Sequence, residues 1–303
     1  MELHVKSMPI WKWTIELVLG ILIFFIIDGV AQTAFLIESQ WLKSVAFIIS
    51  GIAIIGLFQL WTRAFEKEWR MDTMSGLWKL FGGITVGALF FCAVTGILAA
   101  IGAYSASYAH PHWGMIMILL CFYFLVACAE EVMFRGLLFR LIDERFGFWW
   151  AIGISSLLFG FTHIVNPGAT VWSSIAIAVE AGVFFGAAYK YAGTLWLPIG
   201  MHWAWNFTQG DVFGFEVSGT GATESIMNAT LTGPDIVTGG DFGPEASIIT
   251  AILGIILSGL FIYLVHSRNT RMPLALLSST EPCGHPHSAS SPCTTGTLCE
   301  KVC

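Results

Sequence analysis

WGMIMILLCFYFLVACAEEVMFRGLL, residues 113–138, is an apolar run whose only charged residues are Glu130, Glu131 and Arg135. Its length decides the fold, because a hydrocarbon core about 30 Å thick takes about 20 helical residues to cross. The run lacks the alternation of a barrel strand, and an unpaired strand in lipid leaves its amides unsatisfied, so the stretch reads as a transmembrane helix. The charged residues are the anomaly. On insertion scales each costs about 2.5 to 3.5 kcal/mol at mid-membrane, which makes such groups functional candidates by default.

Seven further apolar stretches lie near 14–37, 42–62, 78–103, 148–165, 171–190, 194–209 and 247–266. The chain of 303 residues is 56% hydrophobic and only 11% charged, against roughly a quarter charged in soluble proteins. The expected fold is therefore all-α, a polytopic bundle of about eight transmembrane helices occupying 1–267. The first stretch is too long for a signal-peptide core and is expected to stay as the first span. From 268 to 303 the composition turns to Ser, Thr, Pro and Cys, which predicts a disordered cytoplasmic tail. Within that tail, Cys283, His285 and His287 match no zinc module.

With eight spans and an inner N-terminus, all of the fourteen Lys and Arg residues except Lys43 fall on the inner side. The positive-inside rule then places both termini in the cytoplasm. The outer segment 210–246 carries Asp211, Glu216, Glu224, Asp235, Asp241 and Glu245 with no Lys or Arg, and its Gly and Thr content predicts a solvated loop. The bilayer is the expected partner. The net charge of −6 says little about nucleic acid, and no nucleic-acid partner is expected.

Glu131 and Arg135 stand four apart, so on a helix they share a face and can pair. Glu130 is turned by about 100° and needs help from another helix. The fifth span carries FGFTH, ending at His163, with Asn166-Pro167 stopping the helix beyond it. The seventh reads LWLPIGMHWAWN, residues 195–206, with His202 and Asn206 on one face; Pro198 is expected to remove a backbone hydrogen bond and Gly200 to permit close approach. At about 1.5 Å per residue, Glu130 lies about 18 Å, His163 about 22 Å and His202 about 12 Å from the inner boundary. All three are near mid-bilayer and can converge on one cavity.

That set suits water activation. A buried carboxylate acts as general base, an imidazole orients the same water, and a second His with an Asn can hold an oxyanion. No Ser or Cys stands in a nucleophile motif, so attack by water fits better than an acyl-enzyme. Glu130, His163 and His202 could instead hold zinc, but the HExxH signature is absent, and no cofactor is favoured. Asp28 with Gln32 in the first span, and Glu180 in the sixth, are expected to be helix-packing hydrogen-bonders. Gly182 and Gly186 suit close helix contact.

Together, EEVMFRG at 130–136, FGFTH at 159–163 and HWAWN at 202–206 resemble the EExxxR, FxxxH and HxxxN signatures of the CAAX prenyl endopeptidase and bacteriocin-processing (Abi) family. The resemblance covers roughly 112–209. It implies an intramembrane endopeptidase acting on a membrane-associated peptide or protein, in eukaryotic relatives after a prenylated cysteine, with a prokaryotic plasma membrane as the expected location. By motif it implies Glu130 as the catalytic glutamate, His163 as the water-activating histidine, and His202 with Asn206 as the oxyanion pair. Glu131 and Arg135 match supporting positions. The family is commonly called a metalloprotease, although a metal-free glutamate mechanism is also argued for it. Two other readings are a non-enzymatic immunity or scaffold protein and an ion-coupled transporter.

Overall fold

The computed structural model of the chain describes residues 8–221 and 224–278. Eight helices form the bundle: α1 (Ile10–Gln32), α2 (Gln40–Phe65), α3 (Lys79–Ala100), α4 (Trp113–Phe146), α5 (Phe148–Thr162), α6 (Val171–Ala192), α7 (Trp196–Phe207) and α8 (Ile248–Ser278). Seven of them, among the described residues, are long and apolar enough to cross a membrane. The exception is α7, which a π turn at Thr208–Val212 prolongs. The chain is thus an all-α integral membrane protein, with large apolar side chains such as Leu22, Phe25, Leu60, Phe81 and Leu157 turned outward.

Local chemistry sets the helix ends. The Ser39 hydroxyl accepts a hydrogen bond from the Leu42 amide at 3.4 Å, and Thr170 with Ser173 forms a capping box opening α6. Gly147, at φ +93°, separates α4 from α5 in a conformation side-chain-bearing residues avoid. Asn166 is extended, as the residue before a proline must be, and α5 accordingly ends in a 3₁₀ turn at His163–Val165. Pro198 does not loosen α7 as expected. The helix begins at Trp196, so Pro198 occupies its first turn, where the missing amide has no helical partner to lose.

Helices α3 and α7 meet backbone to backbone. A Cβ on Gly83 or Gly87 would strike the carbonyl oxygens of Leu197 and Met201, and one on Gly200 would strike that of Leu80. Gly182 approaches Ser156 of α5 in the same way, and Gly186 lies over Phe139 and Ile152. Trp11, Trp41, Trp78, Trp113, Trp149 and Trp150 are exposed near helix ends, as an interfacial belt requires.

Three helices change pitch. α4 runs as a π-helix over Val132–Phe139, α6 over Ala178–Val183, and α7 at its end. Below the first of these, Arg140 is bidentate to Glu66 at 2.6 and 3.0 Å, and Arg70 bridges Glu66 at 3.3 Å and Glu144 at 2.9 Å. This buried network ties the C-terminal ends of α2 and α4 together.

The segment after α7 is not a solvated loop. Its strand β2 (Met227–Leu231) pairs antiparallel with β1 (Tyr104–Tyr108), and Phe215, Phe242 and Glu245 are buried. Composition misled because its acidic and small residues make specific long-range hydrogen bonds that local polarity does not announce. The last helix continues to Ser278, past the boundary expected at 267; Cys283, His285 and His287 lie outside the described residues.

Candidate active site

The polar residues of α4, α5 and α7 meet at one cavity of about 350 Å³, lined by Glu130, His163, His202 and Asn206. Asp28 and Gln32 of α1 and Ser218 of the segment after α7 add to its polar wall. A larger cleft of about 540 Å³, between Gln40, Ser44 and Cys121, is apolar and holds none of these groups.

Glu131 faces inward and is fully buried. Its Oε1 accepts from Arg135 Nη1 at 2.8 Å and from His202 Nδ1 at 2.9 Å. Arg135 also donates through Nη2 to the carbonyls of Ala181 and Gly182, at 3.1 and 3.3 Å. Those carbonyls belong to the π turn of α6, where the five-residue hydrogen-bond step leaves backbone oxygens able to accept a side chain. The guanidinium lies 4.5 Å from the Phe159 ring centroid, in cation–π contact. One buried ion pair therefore joins α4, α6 and α7, and it fixes the second histidine from behind.

Since the Glu131 carboxylate only accepts, His202 Nδ1 carries a proton and Nε2 is turned to the cavity, 3.9 Å from Glu130 Oε2. His163 is oriented differently. Its Nδ1 donates to the Phe159 carbonyl at 2.8 Å, which leaves Nε2 with a lone pair. Glu130 is a quarter exposed, and its Oε2 has no hydrogen-bond partner. Asn206 is buried one turn from His202.

Among the described residues no three His, Cys, Asp or Glu side chains, Glu130, His163 and His202 included, stand as a metal-binding group.

Some of the cavity was not expected. Glu245 accepts from Trp205 Nε1 at 2.8 Å and from the Ser218 amide at 2.6 Å, which latches the segment after α7 to that helix beside Asn206. Asn166 Nδ2 donates to the Ser218 carbonyl at 2.7 Å and fastens the same segment to the end of α5. No local motif announces these partners, which are separated by up to 52 residues. Asp28 does not bond across helices; it accepts from Gln32 on its own helix at 2.8 Å. Glu180 is fully buried against Gly254 of α8, yet neither of its oxygens has a hydrogen-bond partner, so it is not the interhelical hydrogen-bonder expected.

No curated protein and no solved structure matches the chain. The family model of Rce1-like type II CAAX prenyl endopeptidases matches residues 112–208. That segment holds Glu130, Glu131, Arg135, His163, His202 and Asn206, and every one of them borders the cavity or braces a residue that does. By this match residues 112–208, the α4–α7 core, are similar to the Rce1-like type II CAAX prenyl endopeptidases.

Proposed function

We propose that the chain is an intramembrane endopeptidase of the CAAX-processing or bacteriocin-processing type, hydrolysing a peptide bond of a membrane-associated substrate with water. The observation that carries this reading is the convergence of Glu130, His163, His202 and Asn206 on one cavity, with His202 braced from behind by Glu131 and Arg135. Glu130 takes a proton from water as general base, and the His163 Nε2 lone pair orients that water. His202, as an imidazolium with protons on both ring nitrogens beside Glu130 and Glu131, and the Asn206 carboxamide donate to the oxygen of the tetrahedral intermediate. Glu131 and Arg135 hold His202 in place rather than touching the substrate.

No metal takes part in this proposal. The purified protein, reconstituted in vesicles and given an internally quenched farnesylated peptide ending in a CAAX sequence, is expected to cleave it and to keep doing so after chelation. Metal content measured on the same sample is expected to be far below stoichiometric. Absence of cleavage would overturn the endopeptidase reading. Stoichiometric zinc whose removal abolishes cleavage would overturn only the metal-free step.

Both termini are proposed to be cytoplasmic, with the segment around residue 230 outside, on the basic-residue distribution. Reporter fusions at residue 230 and at the C-terminus are expected to read outside and inside respectively. An inside signal at residue 230 would sink this orientation.

A further inference from the structure

The first helix lies outside the segment that matches the family, yet it brings a second carboxylate to the cavity. Asp28 and Gln32 stand one turn apart on α1 and line the same space as Glu130, His163, His202 and Asn206. Gln32 Nε2 donates to Asp28 Oδ2 at 2.8 Å, whereas Oδ1 is buried with no hydrogen-bond partner. Glu130 Oε2 is buried without a hydrogen-bond partner in the same way. Two carboxyl groups, each with an unpartnered oxygen, thus border one cavity whose other walls include Phe25, Phe122 and Met133.

Peptide hydrolysis needs two proton transfers, one from the attacking water and one to the departing amine. The first has Glu130 and His163. For the second, His163 is unsuited at Nε2, which carries a lone pair, and His202 and Asn206 are engaged with the oxyanion. Asp28 is the second carboxyl group on the wall of this cavity. Because Oδ2 of Asp28 accepts from Gln32, Oδ1 is the oxygen left to carry a proton to the leaving amine.

We infer that Asp28 is a further catalytic residue, the general acid that protonates the leaving amine, with Gln32 orienting it. This inference rests on the endopeptidase reading above. In the first step an O–H bond of water breaks, its proton passes to Glu130, and the oxygen bonds the carbonyl carbon while the C=O π pair moves onto oxygen. In the second step that pair re-forms the carbonyl, the C–N bond breaks, and its pair takes the proton from Asp28 Oδ1. The proton collected by Glu130 then passes to the Asp28 carboxylate, which restores the starting state.

An ester tests this, because an alkoxide leaving group departs with far less need of a proton than an amine. Two farnesylated peptides are compared in vesicles, one with the scissile amide and one with an ester in its place. Asp28→Asn is expected to lower amide turnover by about 10² to 10⁴, the range for loss of a general acid, and to leave ester turnover near wild type. Asp28→Glu is expected to restore part of the amide activity. Equal loss on both substrates, or none on either, would overturn the role of Asp28 while the endopeptidase reading stands. A wild-type protein that cleaves neither peptide would overturn both.

Discussion

Glu130→Gln is expected to lower peptide turnover by about 10² to 10⁴ while leaving the folded protein intact, since the change keeps the shape of the side chain and removes its basicity. The structure separates this residue from its neighbour. Glu131 is tied to Arg135 and His202, whereas Glu130 is partly exposed to the cavity with an unpartnered oxygen. Replacement therefore leaves the buried Glu131–Arg135 pair intact. Turnover measured in vesicles, with thermal unfolding followed on the same preparation, reads both parts of the expectation. A Glu130→Gln variant as active as wild type would refute water activation at this carboxylate.

Arg135→Met is expected to act on stability first. The guanidinium is fully buried, and its loss leaves the Glu131 carboxylate without a countercharge and the Ala181 and Gly182 carbonyls without their donor. Removing one partner of a buried pair costs about 3 to 5 kcal/mol, more than the methionine side chain regains by packing. His202 then loses the brace behind Nδ1, so residual activity should fall as well. Unfolding midpoints in detergent for wild type, Arg135→Met and Arg135→Lys test this. If Arg135→Met unfolds with the wild type, the triad does not hold α4, α6 and α7 together.

Much of this arrangement was legible in the sequence because lipid imposes simple rules. The expected stretches 148–165 and 171–190 correspond closely to α5 and α6, since an apolar run in a bilayer has few alternatives to a helix. The Glu131–Arg135 pair followed from spacing alone, and Glu130, His163 and His202 line one cavity. What stayed hidden depends on distant partners. Glu245 was one acidic residue among six in a Gly-rich segment, and nothing local marked it as the acceptor for Trp205, forty positions away. The Glu66–Arg140 anchor joins residues 74 apart. Asp28 was visible as a buried charge, but which face of α1 it occupied, and hence that it lined the cavity, required the packing of the bundle. Pro198 was misjudged by where α7 starts, a matter of two residues.

The π stretch of α4 lies between two fixed points, with the Glu130–Glu131 pair above it and the Arg140–Glu66 clamp below. A hydrogen-bond step of five residues takes up one residue more than the α-helical step, so the stretch sets the angular phase between the two ends. In a uniform α-helix each residue turns the axis by about 100°. Removing a single residue from Val132–Phe139 would let the segment relax to α geometry, whereas the same deletion in the regular turns before Glu130 would turn the N-terminal half of α4 by about 100° relative to the carboxylates. Tolerance to deletion along this one helix is therefore periodic in origin: the slack is stored where the pitch is wide, and the rest of the helix has none to give.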